Sequence, residues 1–172
     1  MVSDRPYVLD EQGLARWSDV HADAWIGLLE THKRLTRQLD AELEAAYGVT
    51  LSALEVLGRL AISTGRSLRL SALASSCGLS LSRISRIIDS LEARGLVERR
   101  AVAGDARAVA AHLTDGGLEL ARRAIRGHFE SVRQYFFEQL SGEEVASLGA
   151  IFARFNPRAR EARARRPTHR RH

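Results

Sequence analysis

Apolar residues recur every three or four positions along most of the chain and every two in one short stretch. From about Glu11 to Tyr47, Trp17, Ala24, Trp25, Leu28, Leu35, Leu39 and Leu43 keep roughly helical spacing with no proline between them. That spacing predicts one long amphipathic helix ending at Gly48. Thr50 or Ser52 opens a second helix with Leu54, Leu57, Leu60 and Ala61 on one face, and Gly65 closes it. Two short helices, at about 71–77 and 81–93, flank Cys77-Gly78-Leu79-Ser80. After Gly95 the period shortens: Leu96 to Arg100 reads as a strand, Ala103-Gly104-Asp105-Ala106 as a turn, and Ala108 to Leu113 as a return strand. Thr114 or Asp115 then caps a helix to about Leu140, through Leu118, Ala121, Ile125, Phe129, Val132 and Phe136. Ser141 with Glu144 three residues later is a capping-box start for a last helix over 142–155, which Pro157 ends.

The pair of short helices carries the most specific pattern. Helices that cross steeply over a tight turn need a small residue where their backbones approach. They also need a turn residue that tolerates positive φ, and a branched apolar residue that plugs the second helix onto the first. Ala74, Gly78 and Ile84 supply these in order, at helix-turn-helix spacing. Leu73, Leu79, Ile87, Ile88 and Leu91 complete the inward face. Ser80, Ser82, Arg83, Ser85 and Arg86 are left on the first two turns of the second helix, the part that enters a major groove in this motif. Arg makes paired hydrogen bonds to guanine, and Ser hydroxyls donate to phosphates or base edges. The hairpin that follows is placed like a wing, with Arg99, Arg100 and Arg107 on or beside it. Asp105 stands two residues before Arg107, where it can stiffen the tip; a tip arginine suits a narrow minor groove.

The chain has 172 residues, 45% hydrophobic and 27% charged, enough for one domain with a buried core. It has no run of 18 uncharged apolar residues and no basic-then-apolar amino terminus, so neither a membrane span nor a secretory signal is expected, and the expected compartment is the cytoplasm. One cysteine, Cys77, excludes an internal disulfide; before the turn glycine it reads as a structural thiol rather than a redox sensor. The net charge of +5 is unevenly spread. Residues 1–58 hold 5 basic and 10 acidic side chains, 59–112 hold 9 and 4, 113–157 hold 5 and 6, and 158–172 hold 7 and 1. A polyanion should therefore meet the middle of the chain.

The run Leu81-Ser82-Arg83-Ile84-Ser85-Arg86-Ile87-Ile88-Asp89-Ser90-Leu91-Glu92-Ala93-Arg94-Gly95-Leu96-Val97-Glu98-Arg99 resembles the MarR (multiple-antibiotic-resistance regulator) family of bacterial transcription factors. The wing pattern Asp105-x-Arg107 and the closing Leu113-Thr114-Asp115-x-Gly117 extend the resemblance, which covers about residues 22–156. It implies a mainly α fold with a small β-hairpin wing, a winged helix-turn-helix with N- and C-terminal dimerisation helices. On this chain it implies a dimerisation helix within 1–48, a DNA-binding domain over 49–114 and dimerisation helices over 115–156; the N-terminal extension within 1–48 and the Arg-rich tail over 157–172, expected from composition to be disordered, depart from the family's shortest members. It further implies an obligate homodimer on a pseudo-palindromic promoter site of double-stranded DNA, with 81–93 as recognition helix, Arg107 reaching DNA and Asp105 positioning it. Many members are repressors released by small aromatic or phenolic molecules. Independently, Phe129, Phe136, Phe137, Phe152 and Phe155 exceed what a module of about 65 residues can cover, which favours a dimer.

In the family the effector pocket lies between the dimer helices and the winged domain, and here Trp25, His32 and Arg59 are candidates to line one. The favoured reading makes Trp25 dimer core and His32 and Arg59 surface, and His21 and His128 are open to the same two readings. No metal-ligand spacing, phosphate loop or nucleophile motif occurs, so no metal, no cofactor and no enzymatic activity are expected. Three readings remain open. They are a ligand-responsive repressor, a constitutive or architectural DNA-binding protein, and a dimeric protein-interaction module.

Overall fold

The computed structural model describes residues 6–102 and 105–155, with only the backbone described for 105–107. The Arg-rich tail over 157–172 lies outside the described residues. The chain begins with a hairpin of β1 (Tyr7–Leu9) and β2 (Ala15–Trp17), paired antiparallel with Tyr7 opposite Trp17. This corrects the helix expected from Glu11. The Asp10 carboxylate accepts the N–H groups of Gln12 and Leu14 at 3.0 and 2.9 Å, and Gly13 N–H bonds to the Asp10 carbonyl. Such local side-chain bonds compete successfully with helix formation. The first helix, α1 (Asp19–Tyr47), therefore starts after Ser18.

Helix α2 (Leu51–Ile62) is opened by Thr50, whose Oγ1 accepts the Ala53 N–H at 3.2 Å; Asp40 of α1 accepts the Leu51 N–H at 2.7 Å. There follow β3 (Ser67–Arg69), α3 (Leu70–Cys77), α4 (Leu81–Ala93), β4 (Val97–Val102), β5 (Asp105–Leu113) and α5 (Asp115–Tyr135). The strands form one antiparallel sheet in the order β3-β5-β4. Sequence reading misses β3 because three residues are too few to display an alternation. The core is Val56, Leu57 and Leu60 of α2, Leu73 of α3, Ile84, Ile88 and Leu91 of α4, Val97 and Leu113 of the sheet, and Ala121 and Ala124 of α5, all at most 1% exposed. Each of the larger side chains contributes about 1.5–3 kcal/mol by leaving water. From α1 only Leu43 joins them, and Trp25, Ile26, Leu28 and Leu29 stay exposed.

Wing and α5 meet at one knot. Thr114 Oγ1 lies 2.9 and 3.1 Å from the carbonyls of Gly95 and Leu96 and accepts the Gly117 N–H at 3.0 Å. A Cβ at Gly117 would collide with the Leu96 carbonyl oxygen. The pattern Leu113-Thr114-Asp115-x-Gly117 thus has a steric cause: Thr114 caps α5, and only glycine admits the strand this close.

The chain divides after Phe129 into two compact units. In the second, α5 ends at Tyr135 rather than near Leu140. A short 3-10 turn follows over Phe137–Gln139, then α6 (Gly142–Phe155). Arg133 pairs with Glu130 at 2.9 Å and also with Glu138, five residues ahead, a spacing that a continuous α-helix does not bring together. The capping box forms as its spacing predicts: Ser141 N–H donates to Glu144 Oε2 at 2.7 Å and Glu144 N–H to Ser141 Oγ at 3.3 Å. Those bonds hold the Glu144 carboxyl below its ordinary range. No residue of α6 is buried, and Ile151, Phe152 and Phe155 are exposed.

Two measurements test this packing. Ile88→Ala, at a fully buried position, is expected to cost about 2–5 kcal/mol in denaturant unfolding. His128 Nδ1 is buried without a hydrogen-bond partner, and burial pushes the imidazole below its ordinary value of 6.5. The neutral ring is favoured in the fold, so its contribution is complete above 6.5 and is lost as pH falls through the lower folded-state value. Stability should fall between pH 7 and pH 5 (roughly, either side of the ordinary imidazole range). His128→Asn should flatten that slope; an unchanged slope would contradict the role of burial.

Candidate nucleic-acid interface

The outer face of α4 follows from its inner one. Ile84, Ile88 and Leu91 are fixed in the core, so Ser80, Ser82, Arg83 and Arg86 are exposed on the first turns. Gly78 makes the corner, with φ +64°, and the Leu79 N–H bonds back to the Ala74 carbonyl at 3.0 Å. Ala74 is half-buried, Ile84 fully buried, as the helix-turn-helix spacing predicts. Ser80 is the N-cap, its Oγ accepting the Arg83 N–H at 3.3 Å and lying 3.1 Å from Ser82 Oγ. A helix amino terminus with exposed hydroxyls suits a phosphate. Arg83 Nη2 donates to Ser52 Oγ of α2 at 3.2 Å, which orients one of the two arginines on this face; Arg86 stays exposed.

Ser85 and Arg99 do not stand where the sequence reading puts them. Ser85 is half-buried, and its carbonyl and hydroxyl lie 3.3 and 3.4 Å from Arg99 Nη2. Arg99 reaches from β4 to α4, donating to Asp89 Oδ1 at 2.6 Å and Glu92 Oε2 at 2.5 Å; its backbone N–H donates to Glu92 Oε1 at 2.8 Å. Those hydrogen bonds hold the Glu92 carboxyl low, so the pair stays ionised. Arg99 binds wing to helix, and its guanidinium is committed within the chain. Arg100 on the same strand pairs with Glu98 at 2.9 Å. Asp105 and Arg107 begin β5, and their side chains lie outside the described residues.

Between helix and wing runs a groove of about 420 Å³, lined by Arg69, Leu70, Ser71, Leu81, Ser85, Ala108 and Val109. Leu81 and Val109 are exposed there. Periodicity gave no reason to single them out, since an apolar residue at a helix start reads as core.

A second, open cleft of about 640 Å³ lies between α2 and α5, lined by Leu51, Ser52, Leu54, Glu55, Gly58, Arg59, Ile62, Ile125, His128 and Phe129. Arg59 is in it, paired with Glu55 at 3.2 Å. Trp25 and His32 are not: both are exposed on α1. Trp25 stands 18 residues before Leu43, or about 27 Å up the helix from the only buried turn. Ser52 and His128 take the polar places instead. Cys77 is half-buried and burial pushes its thiol up, as suits a structural side chain. Among the described residues no group of three or more His, Cys, Asp or Glu is arranged to hold a metal, and no single helix is long and apolar enough to cross a membrane.

The family model described as MarR family matches residues 47–108, from the end of α1 to the wing. No curated protein matches by sequence. Among solved structures, AbsC, a MarR family transcriptional regulator from Streptomyces coelicolor, is 34% identical with a TM-score of 0.73; the match covers 87% of this chain and 99% of AbsC. Sco3205, a MarR family transcriptional regulator from the same organism solved in complex with DNA, is 32% identical with a TM-score of 0.74, covering 90% and 94%. Wild-type MarR from E. coli, at 22% identity and a TM-score of 0.64 over 74% of this chain and 93% of its own, shares the fold. The helix-turn-helix corner, the polar face of α4, the wing sheet and this likeness over nearly the whole length agree: the chain belongs to the MarR family, a family of DNA-binding transcription regulators and not of enzymes.

Proposed function

We propose that the protein is a homodimeric repressor, working in the cytoplasm, that binds a pseudo-palindromic promoter site and releases it on taking up a small aromatic or phenolic effector. The observation that carries the DNA reading is α4 itself: three core residues behind, and Ser80, Ser82, Arg83 and Arg86 in front. In this reading residues 49–114 are the DNA-binding domain. Arg86 reads base edges, Ser80 and Ser82 hold phosphate, and Arg107 at the wing enters the minor groove with Asp105 beside it. Arg99 and Ser85 position the wing.

The dimer reading is supported by exposed apolar side chains at both ends of the chain, Val20, Trp25, Ile26, Leu28 and Leu29 on α1 and Ile151, Phe152 and Phe155 on α6. A twofold pair sets two recognition helices roughly 34 Å apart, one duplex turn. The effector reading is supported by the cleft between α2 and α5, which offers Arg59 and Ser52 to a carboxylate or phenol and Leu54, Ile62, Ile125 and Phe129 to a ring.

Duplexes enriched by the protein from a randomised library supply the probe for three substitutions. Arg86→Ala should cost about 1–3 kcal/mol of binding and relax base preference at one position per half-site. Arg107→Ala should weaken binding with less change in which site is chosen than Arg86→Ala causes. Arg99→Gln should weaken binding with the salt slope unchanged, because its guanidinium meets Glu92 and Asp89 rather than phosphate. Wild-type affinity in both Arg86→Ala and Arg107→Ala would overturn the assignment of groove contacts. Hydroxybenzoic acids and phenols screened by thermal shift should raise the midpoint, and Arg59→Ala should abolish the shift.

A further inference from the structure

We propose that Arg94 is a positioning residue that sets the spacing between DNA half-sites, by clamping the exit of the recognition helix to the carboxyl end of α1. The inference rests on the dimeric DNA-binding reading above. Arg94 is the C-cap residue of α4, at the corner where the chain turns toward the wing. Its side chain lies on the same side of the helix as Arg83 and Arg86, with which it lines one groove beside the end of α1. It reaches 46 and 47 residues back, Nη1 donating to the Gly48 carbonyl at 2.5 Å and Nη2 to the Tyr47 carbonyl at 3.1 Å.

Those carbonyls belong to the end of a 29-residue helix with no basic residue in its own last turn. A helix carboxyl end carries unpaired carbonyls and a partial negative charge, and a guanidinium fork answers both at once. Side-chain packing adds to the joint. The guanidinium lies so close to Gly48 that a Cβ there would stand 3.3 Å from Nη2. The neighbouring Tyr47 packs its ring on Gly127 of α5, leaving no room for a Cβ. The end of α1 thus joins α4 and α5, and Arg94 is the polar link to the helix proposed to read DNA.

Lever geometry shows what the link controls. Helix α4 has 13 residues, so its amino-terminal turns stand about 20 Å from Arg94. A tilt of about 10° at the clamp moves them by roughly 3.4 Å, one base-pair rise. In a symmetric dimer both helices shift, so freedom at this joint becomes freedom in half-site spacing, while the side chains facing the bases stay as they were.

The test is selection from a randomised duplex library by the full-length wild type and by Arg94→Gln, followed by affinity on spacer variants of the enriched site. Wild type should enrich paired half-sites at one spacing and lose about tenfold or more when one base pair is inserted or removed. Arg94→Gln should enrich the same half-sites at two or more neighbouring spacings, lose less than about threefold on the same change, and keep the wild-type salt slope. Arg94→Lys, which keeps the charge but has no fork for two carbonyls, should fall between them, and it carries the test if the glutamine variant does not fold. Three results overturn the inference: unchanged spacer discrimination in both variants, an altered half-site sequence, or a salt slope reduced by about one, which would make Arg94 a phosphate contact. Failure of the wild type to enrich any paired half-site would overturn the dimeric DNA-binding reading as well.

Discussion

The outward polar face of α4 depends on one apolar contact, the stripe Ile84, Ile88 and Leu91 of α4 against α2, α3 and the sheet. A helix has only one rotation about its axis that buries three such residues, so the same contact that supplies core stability also aims Ser80, Ser82, Arg83 and Arg86 outward. Gly78 makes the corner between α3 and α4, and Thr50 and Ser80 cap α2 and α4. Stability and presentation of the surface come from the same side chains.

Arginine does two kinds of work in the basic middle of the chain. Of its nine basic residues Arg59, Arg66, Arg99 and Arg100 are paired with carboxylates of the same chain, and Arg94 with backbone carbonyls. Arg83 is hydrogen-bonded to Ser52. Glu55 and Asp115, the partners of Arg59 and Arg66, lie outside residues 59–112 and offset part of that segment's positive charge, whereas hydrogen bonds to Ser52 or to carbonyls leave a guanidinium charged. The half-buried Arg99, paired with Glu92 and with the exposed Asp89, holds the wing strand in register with α4.

Wherever the pattern is long and local, the sequence predicts the structure well. The boundaries of α3 and α4, the hairpin after Gly95, the Thr114 cap and the Ser141–Glu144 capping box all lie in runs where neighbours within four residues decide the outcome. What it hides depends on other forces. Asp10 draws two N–H groups into a turn that apolar spacing overruns, and the break at Phe136 has no glycine or proline to announce it. The place of Arg99, the cleft residues Ser52 and His128, and the reach of Arg94 all depend on contacts between residues far apart in sequence, invisible to any periodicity. Trp25 and His32 show the converse: residue types suited to a ligand, placed too far along α1 to meet one in this cleft.

The close approach of Gly117 to Leu96 has a mechanical meaning. Most contacts between elements pass through side chains, which can swing and absorb a small displacement before passing it on. Here the Gly117 backbone lies against the Leu96 carbonyl, and the bridging side chain is the short one of Thr114, held by hydrogen bonds to both. Any shift of the first turn of α5 must be delivered to the root of β4 without slack. Helix and wing are geared together like meshed teeth, so a disturbance along α5 arrives at the hairpin undamped.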